Sequence, residues 1–123
     1  NDIALLCDVR KNAFSQKYGF SKSQLKNACE AVGITYLHLP QFGIESEKRQ
    51  DLNNMEDYRT LFDEYEKNTL NLTLIQELLL LLNKYNRIAL TCFEKDVNMC
   101  HRGRIVKYLT KIKNFKTPVR HLY

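Results

Sequence analysis

The chain has little that would interrupt a single fold. Its 123 residues include two prolines and four glycines and contain no low-complexity tract, internal repeat or shift in composition. The most apolar run, Leu78–Leu82, is bounded by polar residues and is far shorter than the roughly 20 residues that a membrane span needs. These absences argue against disorder and a membrane partner, and they predict one globular domain over residues 1–123. The apolar run itself predicts a buried helix face.

Negative charge is missing from the end of the chain. All 14 acidic residues lie at or before Asp96, where 12 Lys and Arg leave a net charge of −2. From His101 onward there are seven basic residues and no acid, which gives +7. A solvated basic helix face explains this, and so does attraction of an anionic small molecule or a nucleic acid. The chain has no motif of basic residues interleaved with aromatic ones, which would indicate recognition of nucleic-acid bases.

The four cysteines, Cys7, Cys29, Cys92 and Cys100, are widely spread. A chain of this length has enough core to fold without disulfides. Cys7 and Cys29 lie in apolar patterns that are typical of small buried thiols. We therefore expect reduced thiols and a cytoplasmic protein.

Strands alternate with helices along the sequence. Apolar runs predict strands over Ile3–Cys7, Ile34–Leu39, Arg87–Phe93 and Val119–Tyr123. A capping box at Ser21, a stop at Gly33 and helical spacing elsewhere predict helices over residues 22–32, 55–65, 72–85 and from near 105, with a loop over residues 41–54. This order predicts an α/β, Rossmann-like fold with three layers, in which helices cover both faces of a mostly parallel sheet.

Polar residues follow the predicted strands. Asp8 and Arg10 end the first strand, His38 ends the second, and Cys92 ends the third. Right-handed crossovers bring such strand ends to one edge, which is where open α/β sheets bind ligands. The segment after the third strand adds the densest set of reactive side chains in the chain: Cys92, Glu94, Cys100, His101 and Arg102.

Two kinds of catalytic or metal site fit this set in part. A cysteine nucleophile could use His38 or His101 as its base, but neither Cys92 nor Cys100 has the arginine six residues later that a phosphatase-type loop needs. A metal site of Cys92, Glu94, Cys100 and His101 has no standard spacing, and an adjacent Cys and His rarely both reach one ion. We predict no metal and no cofactor.

A pocket for an anionic ligand uses the most residues. Arg10, Arg102 and helix amides would be the donors, while Asp8 and Glu94 would orient the arginines or transfer protons. Structural roles stay open beside it: a core thiol at Cys92, an ion pair of Arg102 with Asp8 or Glu94, and a hydrogen-bonded strand residue at His38.

The order of these motifs resembles one prokaryotic family. The chain has Asp8-Val9-Arg10, Ser15, Gly19-Phe20-Ser21, Gly33-Ile34, Tyr36, His38-Leu39-Pro40, Gly43, Cys92-Phe93-Glu94 and Cys100-His101-Arg102. Over nearly its whole length it is similar to the domain-of-unknown-function 488 family. The resemblance implies a compact α/β domain with a shared polar pocket and no settled reaction. The usual opening strand and helix are missing here, which would leave a sheet edge that a second copy could cover in a homo-oligomer.

We expect this edge to bind an anionic, phosphate-bearing ligand, and the sequence leaves open whether the protein also processes it. The candidate catalytic residues are Cys92, Glu94, Cys100 and His38. The candidate ligand-binding residues are Asp8, Arg10, Ser15, His101 and Arg102. The alternative is a non-catalytic nucleic-acid-associated module that uses the basic C-terminal face, so the sequence leaves open whether the protein is an enzyme.

Overall fold

The computed structural model describes residues 2–11, 21–45, 48, 52–92, 100–112 and 115–121. In chain order its strands and helices are β1 (Leu5–Asp8), α1 (Lys22–Ala31), β2 (Thr35–His38), a 3₁₀ turn (Pro40–Phe42), α2 (Met55–Asn68), α3 (Leu72–Tyr85), β3 (Ile88–Thr91) and α4 (Arg102–Thr110). The predicted α/β, Rossmann-like single domain is confirmed. Within the described part of the chain, no helix combines the length and the hydropathy needed to cross a membrane.

The three strands form one parallel sheet in the order β2-β1-β3. The register pairs Asp8 of β1 with His38 on one side and with Thr91 on the other. The carboxyl ends of the strands are therefore level, and Cys92 follows directly after β3. The predicted convergence of Asp8, His38 and Cys92 at one edge is confirmed.

Alternation along β1 separates the core from the site. Leu5, Cys7 and Val9 are fully buried in the main hydrophobic cluster, while Asp8 and Arg10 point to the opposite face. The cluster continues through residues of the helices and of the 3₁₀ turn, including Phe42, Phe62, Ile75, Leu78, Ile105 and Leu109. Burying each such side chain contributes roughly 1.5–3 kcal/mol, so the apolar face of the sheet anchors the edge that carries the polar residues.

The helix boundaries follow local signals in the sequence. The Ser21 side chain accepts a hydrogen bond from the Gln24 amide, as the capping box predicts, and Gly33 takes the left-handed φ of 77° after α1. Asn54 and Asn71 cap α2 and α3 in the same way, since their side-chain oxygens accept from amides at 2.9 and 2.8 Å. The predicted bounds of α3 are confirmed.

Four predictions about the elements are wrong in part. Residues 119–121 form no strand, because a β-prone segment needs a neighbour to pair with, and Pro118 lacks the amide hydrogen that pairing uses. Helix α4 begins at Arg102 rather than near Ile105, and the region called a loop begins with a 3₁₀ turn. Leu80 is 70% exposed, so the run of leucines is not buried throughout.

Candidate functional site

A buried ion pair lies at the end of β1. Arg10 Nε donates to Asp8 Oδ1 at 2.7 Å, and Arg10 Nη2 donates to Oδ2 at 2.5 Å. The side chains are 2% and 0% exposed. Spacing of two along an extended chain puts both on one face of the sheet, and Tyr36 of β2, which lies on that face, donates its hydroxyl hydrogen to Asp8 Oδ2. Asp8 thus orients Arg10 as predicted, and it contacts Arg10 rather than Arg102.

The protonation states of this group follow from its contacts. Burial alone would raise the pKa of Asp8, but hydrogen bonds from Arg10 and Tyr36 and the charge of Arg10 together lower it. Burial, followed by the Asp8 carboxylate, raises the pKa of the Tyr36 hydroxyl, so that it stays a donor. Asp8 is therefore a fixed anion near neutral pH, which suits a positioning role better than proton transfer.

Two histidines hydrogen-bond to consecutive carbonyl groups of the chain after β1. His101 Nε2 lies 2.7 Å from the Val9 carbonyl oxygen, and His38 Nε2 lies 2.7 Å from that of Arg10. A carbonyl oxygen can only accept, so both Nε2 atoms carry hydrogen. His101 is fully buried and its ring meets the ring of Tyr65 edge-on, with centroids 5.3 Å apart. His38 is half-buried and lies nearer the surface.

Cys92 and Cys100 meet at the same edge. Their sulfur atoms are in bonding contact, as in a disulfide, and the Cα atoms are 7.0 Å apart. Arg102 Nη1 donates to Cys92 Sγ at 3.1 Å. The sequence predicted four separate reduced thiols, and the structure instead brings Cys92 and Cys100 together as a pair, because the end of β3 and the start of α4 fold onto one point. Cys7 is outside the pair, and burial raises the pKa of its thiol to about 12.

The structure gathers most of the predicted site and adds to it. It brings together Asp8, Arg10, His38, Cys92, Cys100, His101 and Arg102, while Ser15 and Glu94 lie outside the described residues. Tyr36 is a residue of this edge that sequence reasoning left without a role. Its position two residues before His38 puts it on the same face of β2, and that alternation was the signal that could have identified it.

A cavity of about 400 Å³ adjoins this edge between α2 and α4. Cys100 forms part of its wall, Tyr58 and Phe62 give it an aromatic side, and its basic lining is Arg59, Arg104, Lys107 and His121. Among its described lining residues there is no carboxylate. Arg104 is held in place by Asp63 at 2.7 Å and by Glu66 at 3.3 Å, and these two acids lie outside the lining.

Comparison with known proteins places the chain in a family. A family model described as Domain of unknown function DUF488 matches residues 1–109. Searches of curated proteins and of solved structures found no match. The matched region includes every site residue predicted from the sequence, and of the cavity lining it leaves out only His121.

Proposed function

Since this chain belongs to the DUF488 family, as its motifs predicted, and that family's description assigns no activity, we propose a function from the geometry of its site. The protein binds an anionic, phosphate-bearing small molecule in the cavity between α2 and α4. The observation that carries this proposal is the charge of the lining, which combines three cationic side chains with His121 and includes no described carboxylate.

Electrostatics favours an anion in this cavity. Arg59 and Lys107 are exposed and bring positive charge to it from two different helices. Two acids partly neutralise Arg104, so its main contribution is a fixed guanidinium plane over the Phe62 ring, at 5.9 Å from the centroid. Charges of one sign that line a concave surface raise the local concentration of ligands of the opposite sign. A phosphate group is therefore attracted more strongly to this cavity than to a flat basic surface.

The size and the aromatic side favour a small organic phosphate. About 400 Å³ lies within the usual range for small-molecule sites, roughly 300–1,000 Å³. Tyr58 and Phe62 pack side by side, with ring centroids 6.1 Å apart. Such a surface can contact a planar or apolar part of a ligand while the cations hold its phosphate.

Arg10, which the sequence predicted to be a donor to the anion, is not among the contacts proposed here. That arginine is 2% exposed and bound through two of its nitrogens to Asp8, so its role is to hold the edge together. Cys100 links the two regions, because it belongs to the edge and also to the wall of the cavity.

A matched pair of lysine variants tests the cavity. Lys107 lines the cavity. Lys111 is also exposed and follows one helical turn later, but it does not line the cavity. We expect pyrophosphate to bind in a calorimetric titration at low salt. We expect Lys107→Ala to raise the Kd about tenfold, because a hydrogen bond to a charged group is worth about 1.5–3 kcal/mol, and Lys111→Ala to leave it within about twofold.

The same variants separate this proposal from the nucleic-acid alternative. If pyrophosphate fails to bind at millimolar concentration, or if both variants weaken it equally, the cavity is not the anion site. A single-stranded RNA or DNA oligonucleotide whose affinity falls equally in both variants would instead support a module that uses the whole basic face of α4.

A further inference from the structure

Cys92, Cys100 and His101 bring three metal-binding atoms to one point. The two sulfur atoms and a ring nitrogen all lie within 4.8 Å of one another, and Cys100 and His101 are buried. We propose that these residues, in their reduced form, bind a thiophilic divalent metal ion, of which zinc is the best match. Two thiolates and an imidazole are typical zinc donors, and a fourth donor would complete the tetrahedron.

The hydrogen bond of His101 places the lone pair where a metal needs it. Its Nε2 hydrogen is donated to the Val9 carbonyl at 2.7 Å, so in the neutral ring the lone pair is on Nδ1. Nδ1 faces Cys100 Sγ at 3.9 Å. A backbone carbonyl that holds the far nitrogen of an imidazole is the usual support of a metal-binding histidine. The edge-on contact with Tyr65 further restricts rotation of the ring.

The separation of the Cys100 and His101 ligand atoms matches a tetrahedral centre, whereas the two sulfur atoms, which are in bonding contact here, would move apart in the reduced form to share an ion. Zinc–sulfur bonds of about 2.3 Å and zinc–nitrogen bonds of about 2.0 Å put neighbouring ligand atoms roughly 3.5–3.8 Å apart. The 3.9 Å between Cys100 Sγ and His101 Nδ1 is close to this value. Sequence reasoning disfavoured a metal because an adjacent Cys and His seldom reach one ion. Here their ligand atoms lie 3.9 Å apart, with His101 in helical φ and ψ of −63° and −17° at the start of α4.

The backbone positions of the two cysteines also suit an ion between them. Their Cα atoms are 7.0 Å apart, whereas disulfides usually span about 4.4–6.8 Å. Two thiolates that share an ion hold their backbones further apart than a direct bond does. Arg102 Nη1 donates a hydrogen bond to Cys92 Sγ at 3.1 Å. This contact would help to position Cys92, as the Val9 carbonyl positions the His101 ring through its far nitrogen.

Metal content tests the proposal directly. The protein is purified under reducing conditions, without chelator or metal-affinity resin, and zinc is counted by mass spectrometry of the elements. We expect about one zinc per chain in the wild type, and loss of at least nine-tenths of it in Cys92→Ser and in His101→Gln. Cys29→Ser is the matched control, because Cys29 is outside the pair and lies on α1, and it should keep its zinc.

Cobalt titration of the wild type gives an answer that does not depend on how the variants fold. Tetrahedral cobalt bound to thiolates produces intense visible bands and a sulfur-to-metal charge-transfer band, and zinc should abolish both. The proposal is overturned if the reduced wild type holds no zinc and gives no such bands. It is also overturned if a folded Cys92→Ser variant, judged by circular dichroism, keeps its zinc, or if Cys29→Ser loses as much as Cys92→Ser.

Discussion

Replacement of Asp8 by asparagine should greatly destabilise the protein at neutral pH. The substitution keeps the size of the side chain and removes the negative charge that Arg10 contacts through two nitrogens at 2.7 and 2.5 Å. Arg10 is only 2% exposed, so its charge would lose its carboxylate partner without gaining water. Removing one partner of a buried ion pair costs about 3–5 kcal/mol. Asparagine still offers one acceptor oxygen, so we expect about 3 kcal/mol.

The effect should depend on pH with a defined sign. Because the folded state lowers the pKa of Asp8, the pair stabilises the fold fully above the unfolded value of about 3.9. That contribution is lost as the pH falls through the lower folded value. The difference between wild type and Asp8→Asn in the free energy of unfolding should therefore shrink below about pH 4.

Urea unfolding followed by circular dichroism measures both effects. Asp2→Asn is a suitable control, since Asp2 is exposed and has a positive φ of 54° that asparagine also tolerates. It should change stability by less than about 0.5 kcal/mol. A cost below about 1 kcal/mol for Asp8→Asn at pH 7, or a difference that stays constant between pH 7 and pH 3, would refute the argument that this pair is buried and ionised.

Three further predictions rest on single contacts. Gly43→Ala should cost about 1–3 kcal/mol of stability in urea unfolding, because a Cβ would overlap the Lys11 backbone nitrogen, and the amide signal of Lys11 should shift in NMR spectra. Asn71→Ala should cost about 1 kcal/mol in the same assay, since it removes the 2.8 Å cap of α3; a change under 0.3 kcal/mol would contradict this. The Cys7 thiol, whose pKa burial raises to about 12, should resist iodoacetamide at pH 8 until urea unfolds the protein, as read by peptide mass mapping.

Features that depend on neighbouring residues were predictable from the sequence. The bounds of α3 follow from the asparagine that caps its start and from apolar residues that repeat at helical spacing. Both signals lie within the helix or next to it in sequence. The common edge of the strands follows from the handedness of parallel crossovers. The failed closing strand shows the limit of this reasoning, because residues 119–121 have suitable side chains but no strand beside them.

The site was predictable in its membership but not in its pairings. The spacing of Asp8 and Arg10 puts them on one face, yet only the packing of the sheet shows that they are buried together with Tyr36. The meeting of Cys92 with Cys100 depends on how α4 is placed against the end of β3, over eight residues of sequence. Periodicity carries no information about such a placement, so the sequence identified the reactive groups without their partners.

The hydrogen bonds of the two histidines continue the sheet beyond its last strand residue. Successive residues along β1 hydrogen-bond alternately to its two neighbouring strands. The Asp8 carbonyl accepts from the Leu39 amide on the β2 side, and the Val9 amide donates to the Thr91 carbonyl on the β3 side. After these, His101 and then His38 replace backbone amides as donors to Val9 and Arg10. Each imidazole thus adds one hydrogen bond beyond the backbone pairing on its side of β1, so replacing either histidine removes that bond as well as altering the site.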